Sequence, residues 1–152
     1  MTDLATATHE LLLTHDFAAP PELVFAAWTD PAQLAQWWGP EGFSTPSATL
    51  DVVPGGAWRT CMRRDADGME LWSRGEFREV EPPHRLVFTF AWEGDDGALR
   101  HETLVSVSFA AHAGGTRMTF RQSPFPTAQE RDDHHGGWSE CFHKLAGMLA
   151  TR

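Results

Sequence analysis

Large apolar side chains recur at alternate positions along this sequence, and recognition of an apolar molecule is the chemistry they could support. Trp58 and Met62 share one side of a run of alternating residues, and Phe88, Phe90 and Trp92 share one side of another. Phe120 stands in a third run, Trp138 and Phe142 sit four apart in a helical pattern, and Trp37 belongs to a tryptophan pair. Ligand pockets are mostly apolar with a few polar groups, so this set could line one, with Trp58, Met62, Phe90, Phe120 and Trp138 at its centre. The indole N–H of Trp58 or Trp138, or the ring of His134, would supply the orienting hydrogen bonds. The same residues would also serve as a core, since burying each contributes ~1.5–3 kcal/mol against the entropy of ordering the chain.

Polar candidates are fewer. Asp132-Asp133-His134-His135 suggests a metal site, but adjacent histidines on a helix point about 100° apart. Glu130 and His134 share a face, yet a third ligand at the spacing of a His-Glu-x-x-His motif is missing, so no metal and no cofactor are expected. A solvated acidic helix start, favoured by the macrodipole, is the plainer reading. His101-Glu102 and Glu140-Cys141 could supply acid–base chemistry if they entered a pocket, as could Glu76. Arg74 and Glu76, two apart on a strand, are expected to form a cross-strand ion pair. Cys61 alternates with Trp58 and Met62 and so should face away from them. Gly55-Gly56 and Gly114-Gly115 lack the strand-to-helix setting of a phosphate loop.

Composition narrows the partners. Twelve Lys+Arg against 21 Asp+Glu give a formal charge of −9, which repels nucleic acid and anionic lipid, so neither is an expected partner. The chain of 152 residues fits a single domain over 1–152, with 41% hydrophobic and 22% charged residues, as in soluble globular proteins. Two distant cysteines outside any CxxC pair favour a reduced, cytoplasmic setting. Met1 to Thr8 has no charged n-region and no apolar h-region of a signal peptide.

The elements that must position these residues can be read from period and punctuation. Leu11, Leu13, His15 and Phe17 alternate in a first strand over Glu10–Ala18. Pro21 starts a helix with Leu23, Val24, Ala27 and Trp28 on one face, and Asp30-Pro31 caps a second that ends at Trp37-Trp38-Gly39-Pro40. Strands follow over Ser44–Val53, Ala57–Arg64, Met69–Val80 and Arg85–Trp92, then around Thr103–Phe109 and around Met118–Phe120. Between them lie Pro54-Gly55-Gly56, Asp65-Ala66-Asp67-Gly68, Glu81-Pro82-Pro83-His84, Gly94-Asp95-Asp96-Gly97 and Gly114-Gly115. Ser123-Pro124-Phe125-Pro126 leads into a helix of roughly twenty residues, capped by Thr127 with Glu130 three positions on. His134, Trp138, Cys141, Phe142, Leu145, Met148 and Leu149 form its apolar stripe. A long one-faced helix beside hairpin-linked strands lies across the concave face of a twisted antiparallel sheet, an α+β arrangement of order β-αα-β6-α.

That order resembles the START-like, helix-grip superfamily (SRPBCC or Bet v-like), and within it the family named for the activator of heat-shock protein 90 ATPase. The matching segments run from about His15 to Leu149. They include the Pro20–Asp30 helix, Trp37-Trp38-Gly39-Pro40, Asp51-Val52-Val53-Pro54-Gly55-Gly56-Ala57-Trp58, Glu81-Pro82-Pro83-His84-Arg85-Leu86-Val87-Phe88-Thr89, Gly115-Thr116-Arg117-Met118-Thr119-Phe120 and Gly137-Trp138. The resemblance implies a curved antiparallel sheet wrapped around a long C-terminal helix, with a cavity between them. Relatives in other branches bind lipids, hormones or polyketides, and a few catalyse cyclisation or hydrolysis. A small hydrophobic ligand is therefore the first expectation. A cyclase or hydrolase using a pocket carboxylate or histidine is the second. A chaperone partner is the least expected, because chaperone-activating members carry an additional N-terminal domain.

Overall fold

The computed structural model describes residues 9–151, so the expectation for Met1 to Thr8 lies outside the described residues. Alternation in the sequence becomes seven strands: β1 (His9–Phe17), β2 (Phe43–Leu50), β3 (Ala57–Arg64), β4 (Glu70–Glu81), β5 (Arg85–Trp92), β6 (Thr103–His112) and β7 (Gly115–Phe125). They form one antiparallel sheet in the order β1-β7-β6-β5-β4-β3-β2. The helices are α1 (Pro21–Thr29), α2 (Pro31–Trp37) and α3 (Ala128–Ala150). The order is β-αα-β6-α, as the sequence predicts.

The caps hold as expected. Pro21 opens α1, Asp30 accepts the Ala32 N–H at 3.1 Å to cap α2, and Thr127 accepts the Glu130 N–H at 3.1 Å to cap α3. Three local expectations change. Leu23 is exposed, and the buried face of α1 is Val24, Phe25, Ala27 and Trp28. β7 runs on through Ser123-Pro124-Phe125, because β1 shifts register between His9 and Leu11 opposite the proline, which has no N–H to donate. Arg74 does not pair with Glu76, because the guanidinium and the carboxylate each have another partner within reach. Arg74 approaches Glu93 at 3.9 Å and Glu76 meets Arg78 at 3.5 Å.

The core lies between the concave face of the sheet and the three helices. Trp28 sits at its centre, its ring within 6.5 Å of those of Trp37, Phe88, Phe120, Trp138 and Phe142. One chain of polar groups crosses this apolar layer. Trp138 Nε1 donates to Gln122 Oε1 at 2.8 Å, Gln122 Nε2 donates to Thr103 Oγ1 at 2.9 Å, and the Thr103 hydroxyl donates to Phe90 O at 3.3 Å. Gln122 is wholly buried. The link joins α3 to β7, β6 and β5 in turn.

Gln122→Ala would leave the buried Trp138 N–H and the Thr103 hydroxyl unpartnered and open a void. The expected cost is about 2–4 kcal/mol, read as a lower urea midpoint with unchanged slope. A loss within about 0.5 kcal/mol, the range of ordinary surface substitutions, would show that the chain is dispensable.

Candidate functional site

A cavity of about 240 Å³ opens where the first half of α3 faces the ends of β3, β4 and β5. Met62 of β3 and Leu71 of β4, direct cross-strand partners, meet Phe90 and Trp92 of β5 on the sheet side. Helix α3 contributes Asp133, Gly137 and Cys141, spaced four apart on one face, with His134 and Trp138 beside them. The loop between α2 and β2 closes the third side with Trp38, Gly39 and Pro40, together with Phe43 at the start of β2. The rings meet edge to face: Trp38 with Trp138 at 5.1 Å between centroids, and Phe90 with Trp92 at 5.2 Å.

The loop wall is fixed by α3. Glu140 accepts the Glu41 N–H at 3.0 Å, and Lys144, the chain's only lysine, donates to Gly39 O at 2.9 Å and Phe43 O at 3.3 Å. Gly39 has φ +100°, and a Cβ there would also lie 3.3 Å from Phe43 Cβ, so glycine is required. At the rim, His134 Nε2 accepts the Trp92 indole N–H at 3.0 Å, and its Nδ1 lies 2.9 Å from Glu130 O. A carbonyl on one nitrogen and a donor on the other define the neutral tautomer with its proton on Nδ1. Both ring nitrogens are thereby occupied.

Of the predicted site residues, the structure brings Met62, Phe90, Trp92, His134 and Trp138 to this cavity. The other five lie elsewhere. Trp37 is wholly buried, its indole N–H donated to Ala27 O at 3.0 Å. Trp58 donates its N–H to Thr89 O at 3.0 Å and, with Phe88, borders only a void of about 20 Å³ under α1 and α2. Phe120 and Phe142 are core. Alternation fixes which face a strand residue takes, not how far along the groove it stands, and α1 and α2 fill that end with Trp28. Trp38 takes the place expected of Trp37 because α2 stops there: Trp38 is its C-cap, with φ −68° and ψ 132°, which breaks the helical period. The suggested hydrogen bonds from Trp58, Trp138 and His134 are all made within the protein.

Lining residues outside the predicted set are Trp38, Gly39, Pro40, Phe43, Leu71 and Gly137, with Asp133 and Cys141, which the sequence suggested only for other roles. Leu71 was signalled only by pairing with Met62, which requires the β3–β4 register. The acid–base candidates outside α3's inner face stay away from the cavity. Glu76 is exposed, His101 is exposed and bonded to Pro124 O, and Glu140 is exposed and holds the loop. Among the described residues, no three His, Cys, Asp or Glu side chains are grouped as metal ligands. Beyond Leu71 and Trp92, which line both spaces, lies a second, more polar hollow of about 570 Å³ edged by Glu70, Glu93, Asp95 and Arg100. Glu93 is clasped there by Arg59 at 2.7 and 2.9 Å, which holds its carboxyl below the usual range. Arg59 also lies 3.9 Å over the ring of Trp72 on the outer face, where Cys61 is buried, turned away from Trp58 and Met62.

A seven-stranded antiparallel sheet curved around one long C-terminal helix, with an apolar cavity between them, defines an α+β protein of the helix-grip class. The chain belongs to the family described as activator of Hsp90 ATPase homolog 1-like protein, whose model matches residues 18–150. It is similar to the AHSA1 protein of Silicibacter pomeroyi: 32% identity, 94% of this chain and 99% of that one covered, TM-score 0.87. A Chromobacterium violaceum protein is 28% identical, with 92% and 96% covered and a TM-score of 0.83. A Rhodobacter sphaeroides protein is 29% identical, with 95% and 94% covered and a TM-score of 0.80. Among curated proteins there is no match. No helix of the described residues is long and apolar enough to cross a membrane.

Cys141 borders the cavity, and burial pushes its thiol up to about 12, a backbone bond from Gly39 offsetting only part of this. The folded protein therefore disfavours the thiolate. Above the unfolded thiol's ordinary value of 9.0, the unfolded chain ionises first, so this group's contribution to stability falls as pH rises from there towards about 12. Cys141→Ser should flatten that alkaline loss, and iodoacetamide at about pH 8 should leave native Cys141 unmodified. Fast alkylation of the native protein at Cys141 would contradict the assignment.

Proposed function

We propose that this protein binds one compact, largely apolar molecule in the cavity between Trp38, the ends of β3–β5 and α3. The observation that carries the reading is Gly137. It lies in the interior of α3, on the cavity side, and a Cβ built there meets nothing within 4 Å. A glycine inside a helix costs roughly 0.5–1 kcal/mol relative to alanine. No positive φ or close backbone approach demands one here. What the missing side chain preserves is space.

The volume, about 240 Å³, lies below the ~300–1,000 Å³ of sites for drug-sized ligands. It suits a one- or two-ring molecule better than a long lipid or a fused four-ring skeleton. Trp38, Phe90, Trp92 and Trp138 would hold a flat molecule by dispersion and edge-to-face contact. Catalysis by Glu76, His101 or Glu140 would need them inside the cavity, and His134 already has both nitrogens engaged. The two unpaired, buried cysteines support a cytoplasmic setting.

Calorimetric titration with indole and 2-(2-naphthyl)ethanol is expected to show saturable binding at a single site. Gly137→Leu should abolish it by filling the cavity, while its melting temperature stays equal or rises. Gly136→Ala, where a Cβ also meets nothing but the residue is exposed, should raise the melting temperature and keep binding. Unchanged binding by a folded Gly137→Leu protein would refute the site, as would no binding of either compound by the natural chain.

A further inference from the structure

The cavity's charge selects among apolar ligands. Its only lining side chain with a formal charge is Asp133, exposed at the mouth on the same helical face as Gly137 and Cys141. Gln129, on the preceding turn, donates to its Oδ1 at 2.8 Å, and its second oxygen takes no hydrogen bond from the described residues. Among the described residues, no arginine or lysine lines the space. The two formal cations of α3 are engaged elsewhere: Arg131 donates to Asp132 at 3.0 Å, Lys144 is bound to the carbonyls of Gly39 and Phe43, and neither is part of the lining. His134 has both ring nitrogens engaged, by the Trp92 indole and the Glu130 carbonyl, and burial keeps the Cys141 thiol protonated. Beside Pro40, Met62 and Leu71, the wall presents aromatic rings, whose faces carry negative potential and attract cations.

An anionic ligand would therefore lose its hydration with no cation to receive it, beside a carboxylate in a chain of formal charge −9. An ammonium would meet ring faces of Trp38, Trp92 and Trp138 and the carboxylate of Asp133. A primary amine of this type is protonated at about pH 7, as lysine is. Resting on the reading of this cavity as a ligand site, we infer that its ligand is an arylalkyl amine bound as the ammonium ion, its rings between β5 and α3 and its charge at the Asp133 mouth. Carboxylates of the same skeleton are rejected.

Three molecules with one skeleton test this: 2-(2-naphthyl)ethanol, 2-(2-naphthyl)ethylamine and 2-naphthylacetate, titrated into the natural chain at low ionic strength. The amine should bind at least about fivefold more tightly than the alcohol, and the acetate at least about tenfold more weakly than the amine. Asp133→Asn should shrink the preference for the amine over the alcohol by about threefold or more, and added salt should act in the same direction. If the alcohol binds but the amine binds no better, the charge selection is wrong while the cavity stands. Acetate binding as tightly as the amine would overturn it equally. If none of the three binds, the cavity reading itself fails and this inference with it.

Discussion

The arrangement turns on the indole of Trp138. A tryptophan on the inner face of α3 brings the largest apolar side chain to the sheet, but its N–H cannot be buried unpaired without a cost of about 1–3 kcal/mol. Gln122 supplies the acceptor from β7, and its own amide N–H is in turn satisfied by Thr103 on β6. The pairing fixes the height and rotation of α3 over three strands. It also places Asp133, Gly137 and Cys141 over the ends of β3–β5, and Glu140 and Lys144 against the α2–β2 loop. Floor, roof and side wall of the cavity all follow from how this one helix is seated.

The groove is consequently divided. Under α1 and α2 it is filled: Trp28, Trp37, Trp58, Phe88, Phe120 and Phe142 are buried, and the remaining void is about 20 Å³. Beyond Trp38 it is open, because α2 has ended and Gly137 carries no side chain. Core and cavity wall draw on the same residue types. Trp28 marks the boundary from the core side, buried with its indole N–H unpartnered among the described residues; Trp38 marks it from the cavity side.

Most of the fold was legible because strand alternation, helical stripes and caps are local signals. Leu11, Leu13, His15 and Phe17 turn inward as a set, and Thr127 caps α3 where its spacing to Glu130 predicts. The site was half legible. Parity placed Phe90 and Trp92 on the correct face, but the same parity holds for Phe88, which lies on the filled side. What separates them is the cover supplied by α1 and α2, a long-range fact. Gln122 escaped notice because an inward polar residue breaks the alternation, and its purpose depends on a helix that follows later in the chain. Gly137 reads as a weak point in a helix until the space beside it is seen.

The seven indole N–H signals offer the most direct test of this division. Nuclear magnetic resonance of the protein labelled at the tryptophan side-chain nitrogens, titrated with 2-(2-naphthyl)ethanol, should shift the signals of Trp38, Trp92 and Trp138. Those of Trp28, Trp37 and Trp58, sealed under the short helices, should stay in place, as should that of Trp72 on the outer face. Shifts confined to Trp72, or largest at Trp37 and Trp58, would contradict the account.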